Sequence, residues 1–128
     1  MRPKPRYDGS MDRRRAVGDE AETLAARALR RAGLRIVERN VRFRTGEIDL
    51  VCRDGDGWVF VEVKARRPGW DASAGAAVSW QKQRRIVQLA QLYLKTRGLR
   101  GARCRFDVVE VTLGDGTLRH LPGAFDAG

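Results

Sequence analysis

Two runs of β-forming residues, Ile48-Asp49-Leu50-Val51-Cys52 and Trp58-Val59-Phe60-Val61-Glu62-Val63-Lys64-Ala65, flank the tetrapeptide Asp54-Gly55-Asp56-Gly57. Asp-Gly dipeptides supply the positive-φ positions that tight turns between antiparallel strands demand, so this stretch is constrained to fold as a hairpin. A symmetric turn sets Arg53 opposite Trp58, Val51 opposite Phe60, Asp49 opposite Glu62 and Glu47 opposite Lys64. Strand alternation then gives one face Ile48, Leu50, Cys52, Val59, Val61 and Val63. Glu47, Asp49, Glu62 and Lys64 share the other face with Val51 and Phe60.

Glu47 facing Lys64 is an ordinary cross-strand ion pair. Asp49 facing Glu62 is not, because directly opposed carboxylates repel unless something positive sits between them. A divalent, oxygen-preferring cation resolves that repulsion, and two carboxylates suit Mg²⁺ or Mn²⁺ better than zinc. An ammonium such as that of Lys64 beside it would orient a nucleophile or stabilise developing charge. The pairing register decides the matter, since one bulged residue would turn Asp49 to the opposite face.

The flanking sequence supplies helices. Ala21, Leu24, Ala25, Ala28, Leu29 and Ala32 form a stripe at helical spacing that ends at Gly33, with Glu22 on its shoulder. Ile86, Leu89, Ala90, Tyr93 and Leu94 mark a second helix from Ser79 to Arg97, stopped by Gly98 and carrying Lys82, Arg84 and Arg85 on its wet and leading surfaces. Leu34–Val37 and Val41–Arg44 read as short strands around a Glu38-Arg39-Asn40 turn, and residues 67–75 as a loop. Arg105–Leu113 reads as a strand and Thr117–Leu121 as a short return. The order is α-β-β-β-α-β, an α/β architecture with a mixed sheet flanked by helices.

Residues 1–15 hold Pro3, Pro5, Gly9 and six cations without apolar periodicity, and read as a disordered basic arm ahead of one domain over 16–128. Across the 128 residues, 26 Lys+Arg against 16 Asp+Glu leave a net charge of +10, most of it arginine. Arginine's planar fork suits phosphate, so nucleic acid is the expected partner. No apolar run is long enough for a bilayer and no signal-peptide core follows the basic start, which implies a soluble, cytoplasmic protein. Cys52 and Cys104 are too few for a disulfide framework or a zinc site and are read as packing residues. His120, the single histidine, lacks a constellation and reads as a surface or edge residue. Trp58 and Trp80 are expected to pack, whereas Trp70, in a loop beside Arg66 and Arg67, could stack on a base. Asp107 fits either a buried acid paired with an arginine or a helper of the site.

Glu62-Val63-Lys64 is an E-x-K strand, with Asp49 on the strand before it. This resembles the PD-(D/E)xK, restriction-endonuclease-like nucleases. The wider pattern is similar to the YraN-like bacterial family, thought to be related to archaeal-type Holliday-junction resolvases. It comprises Glu22, Gly33, Asn40-Val41-Arg42, Gly46-Glu47-Ile48-Asp49-Leu50-Val51, Val59–Lys64 with Arg66, Lys82 with Arg85, Tyr93-Leu94 and Phe106–Val109. Ile48 stands where the nuclease motif has proline, Ala21 where glycine is usual and Val41 where an aromatic is usual. The resemblance implies a restriction-endonuclease-like core and a metal-dependent DNA endonuclease acting on branched or junction DNA. It implies Asp49 and Glu62 as Mg²⁺ or Mn²⁺ ligands, Lys64 as the catalytic lysine and Glu22 as an accessory acid. Arg66, Arg67, Lys82 and Arg85 would line the DNA backbone, and analogy with resolvases implies a homodimer. The competing expectation is a non-catalytic nucleic-acid-binding module of the same fold.

Overall fold

Small side chains on the first helix let it lie close against a sheet, and glycines end both helices in the same way. The computed structural model describes residues 10–68 and 78–127, with side chains from Gly18 onward. Helix α1 spans Ser10–Arg31 and buries Ala21, Ala25, Ala26 and Leu29. After it, Gly33 at φ +92° lets its N–H reach Arg30 O and the Leu34 N–H reach Leu29 O, both at 3.0 Å. Helix α2 spans Trp80–Thr96, with the Ser79 hydroxyl accepting from Lys82 N at its start. Gly98 and Leu99 repeat the closing pattern onto Lys95 O and Leu94 O. In both places glycine takes the left-handed conformation and two otherwise orphaned carbonyls are satisfied.

Five strands form one sheet in the order β1(Arg35–Phe43), β2(Gly46–Asp54), β3(Gly57–Arg66), β4(Cys104–Thr112), β5(Leu118–Phe125). Neighbours are antiparallel except β3 and β4, which run parallel because α2 crosses between them. The α-β-β-β-α-β order of a restriction-endonuclease-like core is therefore present, with β5 added at the far edge. No helix among the described residues is long and apolar enough to cross a membrane.

Two apolar layers sandwich the sheet. Leu50, Cys52, Val59, Val61, Val109 and Val111 pack against α1. Ile48, Val51, Trp58, Phe60, Phe106 and Val108 pack against α2. At the centre of the second layer, Tyr93 meets Phe60 and Trp58 edge-on, with centroids 5.7 and 5.9 Å away. These offset aromatic contacts bury large apolar area and fix α2 over β2 and β3.

Several sequence expectations are corrected. The Glu38-Arg39-Asn40 segment is not a turn: β1 runs through it, with Asn40 at φ +53° and a bulge between Ile36 and Glu38. Asparagine tolerates the left-handed region, so the strand bends without breaking. Helix α1 begins at Ser10 and so runs through residues 10–15 of the expected arm; residues 1–9, and Trp70 with 69–77, lie outside the described residues. Trp80 does not pack but is 70% exposed at the start of α2.

Gly46 sits where α2 crosses the start of β2. A Cβ added there would lie 3.1 Å from Leu89 Cδ1, with the Arg85 stem next to it. Gly46→Val is expected to destabilise the chain by about 1–3 kcal/mol through overpacking, read as a lower urea midpoint; an unchanged midpoint would refute the close approach.

Candidate active site

The hairpin register matches the sequence expectation from Asp54↔Gly57 to Leu50↔Val61, and there it stops. Beyond that point β2 stays with β1, where Val41↔Ile48 and Arg42↔Glu47 continue, while β3 stays with β4 through Arg66↔Thr112. The two strands part, and Asp49 lies in the opening. Its Oδ2 accepts from Val63 N at 2.8 Å, a donor that an unbroken register would have turned to Ile48. Asp49 therefore does not stand across the ladder from Glu62 as expected; its carboxylate replaces a rung of the ladder. Ile48 also changes face, packing on the α2 side with Val51 instead of sharing the α1 side with Leu50. A slip of alternation around Asp49 accounts for both departures.

Acids reach this opening from several elements. Carboxylate oxygens of Glu22 on α1, Glu47 and Asp49 all lie within 4.8 Å of one another. Glu22 is buried, and its Oε2 has no hydrogen-bond partner among the described residues, although Arg39 Nη2 is 3.8 Å away. Burial pushes the Glu22 carboxyl up, opposed by a hydrogen bond from Asn40 and the charge of Arg39. Asp49 is pushed up to about 8, first by burial and then by the charge of the adjacent Glu62. An all-carboxylate donor set holding an unsatisfied buried oxygen fits a hard divalent cation.

Glu62 is buried and faces α2, where Lys82 Nζ lies 2.5 Å from its Oε1. Lys64 is half-buried two residues further along β3, paired in register with Glu110 of β4. The expected Glu47–Lys64 pair gives way to Glu47–Arg42 at 3.5 Å, since β2 has already left β3 at that level. Of the four cations assigned to substrate, Arg66 is held in a buried pair with Glu110 at 3.0 Å and Lys82 is held by Glu62. Arg67 and Arg85 are exposed. Glu47 is the site residue that sequence reasoning passed over; its place two residues before Asp49 on one strand was the available signal.

The profile of Uncharacterised protein family UPF0102 matches residues 21–111, a span that contains every acid of the opening. The chain belongs to the UPF0102 (YraN) family. A UPF0102 protein of Symbiobacterium thermophilum is 54% identical over 106 residues, covering 82% of this chain and 90% of that protein. Another, from Dechloromonas aromatica, is 55% identical over 113 residues, covering 88% and 90% respectively. One from Rhodococcus jostii is 47% identical over 113 residues, covering 86% of this chain and 96% of its own. The UPF0102 match thus takes in the opening between β2 and β3 together with the second half of α1 and all of α2.

Away from the opening, Asp107 is a fully buried acid held by Arg105 at 2.9 and 3.1 Å, by His120 Nε2 at 2.8 Å and by Gly123 N at 2.9 Å. Burial would raise its carboxyl, but these partners outweigh burial and hold it below the usual range. It is the structural acid of the two alternatives, tying β4 to β5, and His120 is an edge-strand residue bound to it. Cys52 is buried in the α1 layer and its thiol is pushed up by burial, an inert packing role.

The raised Asp49 has a consequence for stability. The unfolded side chain titrates near 3.8 and the folded one near 8. Between those values the metal-free folded chain holds more protons than the unfolded chain, so stability falls as pH rises through the window. Asp49→Asn keeps an oxygen for Val63 N–H and removes the charge. At pH 9 in chelator it is expected to melt higher than the wild type by about 4 °C or more, the shift of roughly 1 kcal/mol in a domain this size. Equal or lower melting would contradict the burial of an uncompensated carboxylate.

Proposed function

We propose that this chain is a metal-dependent DNA endonuclease that hydrolyses phosphodiester bonds, with branched or junction DNA as its substrate. The observation that supports this most is the meeting of Glu22, Glu47 and Asp49, with Glu62 adjacent to Asp49, where β2 and β3 part. Asp49 and Glu62 would hold Mg²⁺ or Mn²⁺, with Glu22 and Glu47 completing the acid shell. The bound ion supplies Lewis-acid polarisation of a phosphate oxygen.

The chain's own residues have distinct tasks in this reading. Val63 N–H holds Asp49 Oδ2 and so fixes the rotamer of Asp49 beside the other acids. Lys64 carries its ammonium on the same β3 face as Glu62, where it orients the attacking water and stabilises charge developing on the phosphoryl group. Glu22 supplies a buried oxygen acceptor from the opposite layer. Arg67 and Arg85, both exposed, offer guanidinium forks to the entering backbone.

One observation favours a second reading, a non-catalytic nucleic-acid-binding module: Lys82 already neutralises Glu62. The two readings separate in a panel of single-stranded, duplex, flap and four-way-junction DNA with Mg²⁺, Mn²⁺ or chelator. The nuclease reading predicts metal-dependent cleavage that Asp49→Ala or Lys64→Ala lowers at least ~10²-fold. Cleavage of equal rate by the purified variants, or binding without cleavage by the wild type, would reject it.

A further inference from the structure

At the hairpin end of the sheet, away from the acids, arginines gather that no carboxylate neutralises. Arg35 and Arg53 are direct partners across β1 and β2, where like charges repel. Arg53 is held in place, 4.4 Å over the Trp58 ring and donating to Gly55 O at 3.2 Å. Arg100 and Arg103 are exposed in the connection from α2 to β4. A hydrogen bond of 2.9 Å from Trp58 N to Arg103 O fixes that connection beside the hairpin.

The acids nearby are engaged elsewhere: Glu38 with Arg97, and Asp54 with Arg105. Among the described residues none of Arg35, Arg53, Arg100 and Arg103 has an ion pair, and Asp56 at the hairpin tip also lacks one. Two cavities open at this end. One of about 480 Å³ is lined by Leu92, Lys95 and Arg100 among others, and one of about 380 Å³ by Asp54, Trp58, Arg103 and Arg105 among others. At the acid end, by comparison, Arg66 and Lys82 are neutralised by Glu110 and Glu62, while Arg67 and Arg85 stay exposed.

We infer that the arginine end is a phosphate-backbone subsite that holds a duplex arm of DNA extending away from the acid cluster. The inference rests on the nucleic-acid part of the proposed function and not on cleavage. Trp58 and Lys64 are six residues apart on β3, roughly 20 Å at about 3.3 Å per residue. A duplex lying along that length covers about six base pairs at ~3.4 Å each. Unpaired guanidinium groups on separate segments match a line of phosphates. An acidic protein would dock on an apolar centre, and the large apolar side chains exposed among the described residues, Val37, Trp80 and Leu92, are scattered singly.

The test is fluorescence anisotropy of a labelled blunt duplex in chelator, repeated over a range of salt concentrations. Removing two phosphate contacts lowers the steepness of log K against log[salt] by about 1.8. Arg100→Gln/Arg103→Gln is expected to show that loss, while Arg27→Gln, exposed in the last third of α1, stays close to the wild-type slope. Wild-type binding with an unchanged slope in the double variant would overturn the subsite alone. No binding by the wild type would overturn it together with the nucleic-acid reading. Displacement by polyglutamate at lower charge concentration than by competitor duplex would assign the surface to an acidic protein instead.

Discussion

The hydrogen bond from Val63 N to the Asp49 carboxylate is the contact on which the geometry of the candidate site depends. A backbone donor leaving a ladder must find another acceptor or remain unsatisfied in a dry interior, at a cost of about 1–3 kcal/mol. Asp49 supplies that acceptor, so β2 and β3 can separate without stranding the donor. The separation makes room for Glu22 from one layer and Glu62 from the other to approach a single carboxylate. A simple hairpin would have kept Asp49 and Glu62 on the ladder and closed the space between the strands.

The two apolar layers hold the opening. Phe60 lies between Tyr93 and Phe106, with centroids 5.7 and 5.8 Å away, just before Val61 and Glu62. On β2, Val51 and Ile48 are both buried against α2 on either side of the slip. Because packed interiors respond to shape changes as small as one methylene, these contacts limit how far the strands can close. Repulsion among the acids is thus sustained by packing energy from elsewhere, an arrangement common where stability is exchanged for function.

Much of this was legible in the sequence. The Asp-Gly turn dictated the register from Asp54 to Leu50, and helical spacing located α2 to within a residue at each end, because turn chemistry and apolar periodicity are local properties. The parting of β2 from β3 was not legible, since it depends on β1 holding one strand of the hairpin and β4 the other, a non-local matter. The face change of Ile48 and the regrouping of Glu47 with Glu22 and Asp49 follow from it. Asn40 shows the opposite failure: a residue typical of turns was accommodated inside a strand. Nor could spacing reveal that Arg66 and Lys82 would meet Glu110 and Glu62, which belong to other elements.

The charge distribution links the two ends of the molecule. Near the acids Arg66 and Lys82 are consumed by Glu110 and Glu62, whereas Arg35, Arg53, Arg100 and Arg103 stand without carboxylate partners among the described residues at the hairpin end. A polyanion approaching such a molecule would be attracted to the arginines before its backbone reached the carboxylates, which repel it unless a cation intervenes. The most direct test of the central claim is Mn²⁺ anomalous diffraction from crystals of the chain soaked at pH 8. The account predicts one strong peak bounded by Asp49 and its neighbouring carboxylates in the opening between β2 and β3. An empty opening, with manganese bound only elsewhere or not at all, would contradict it.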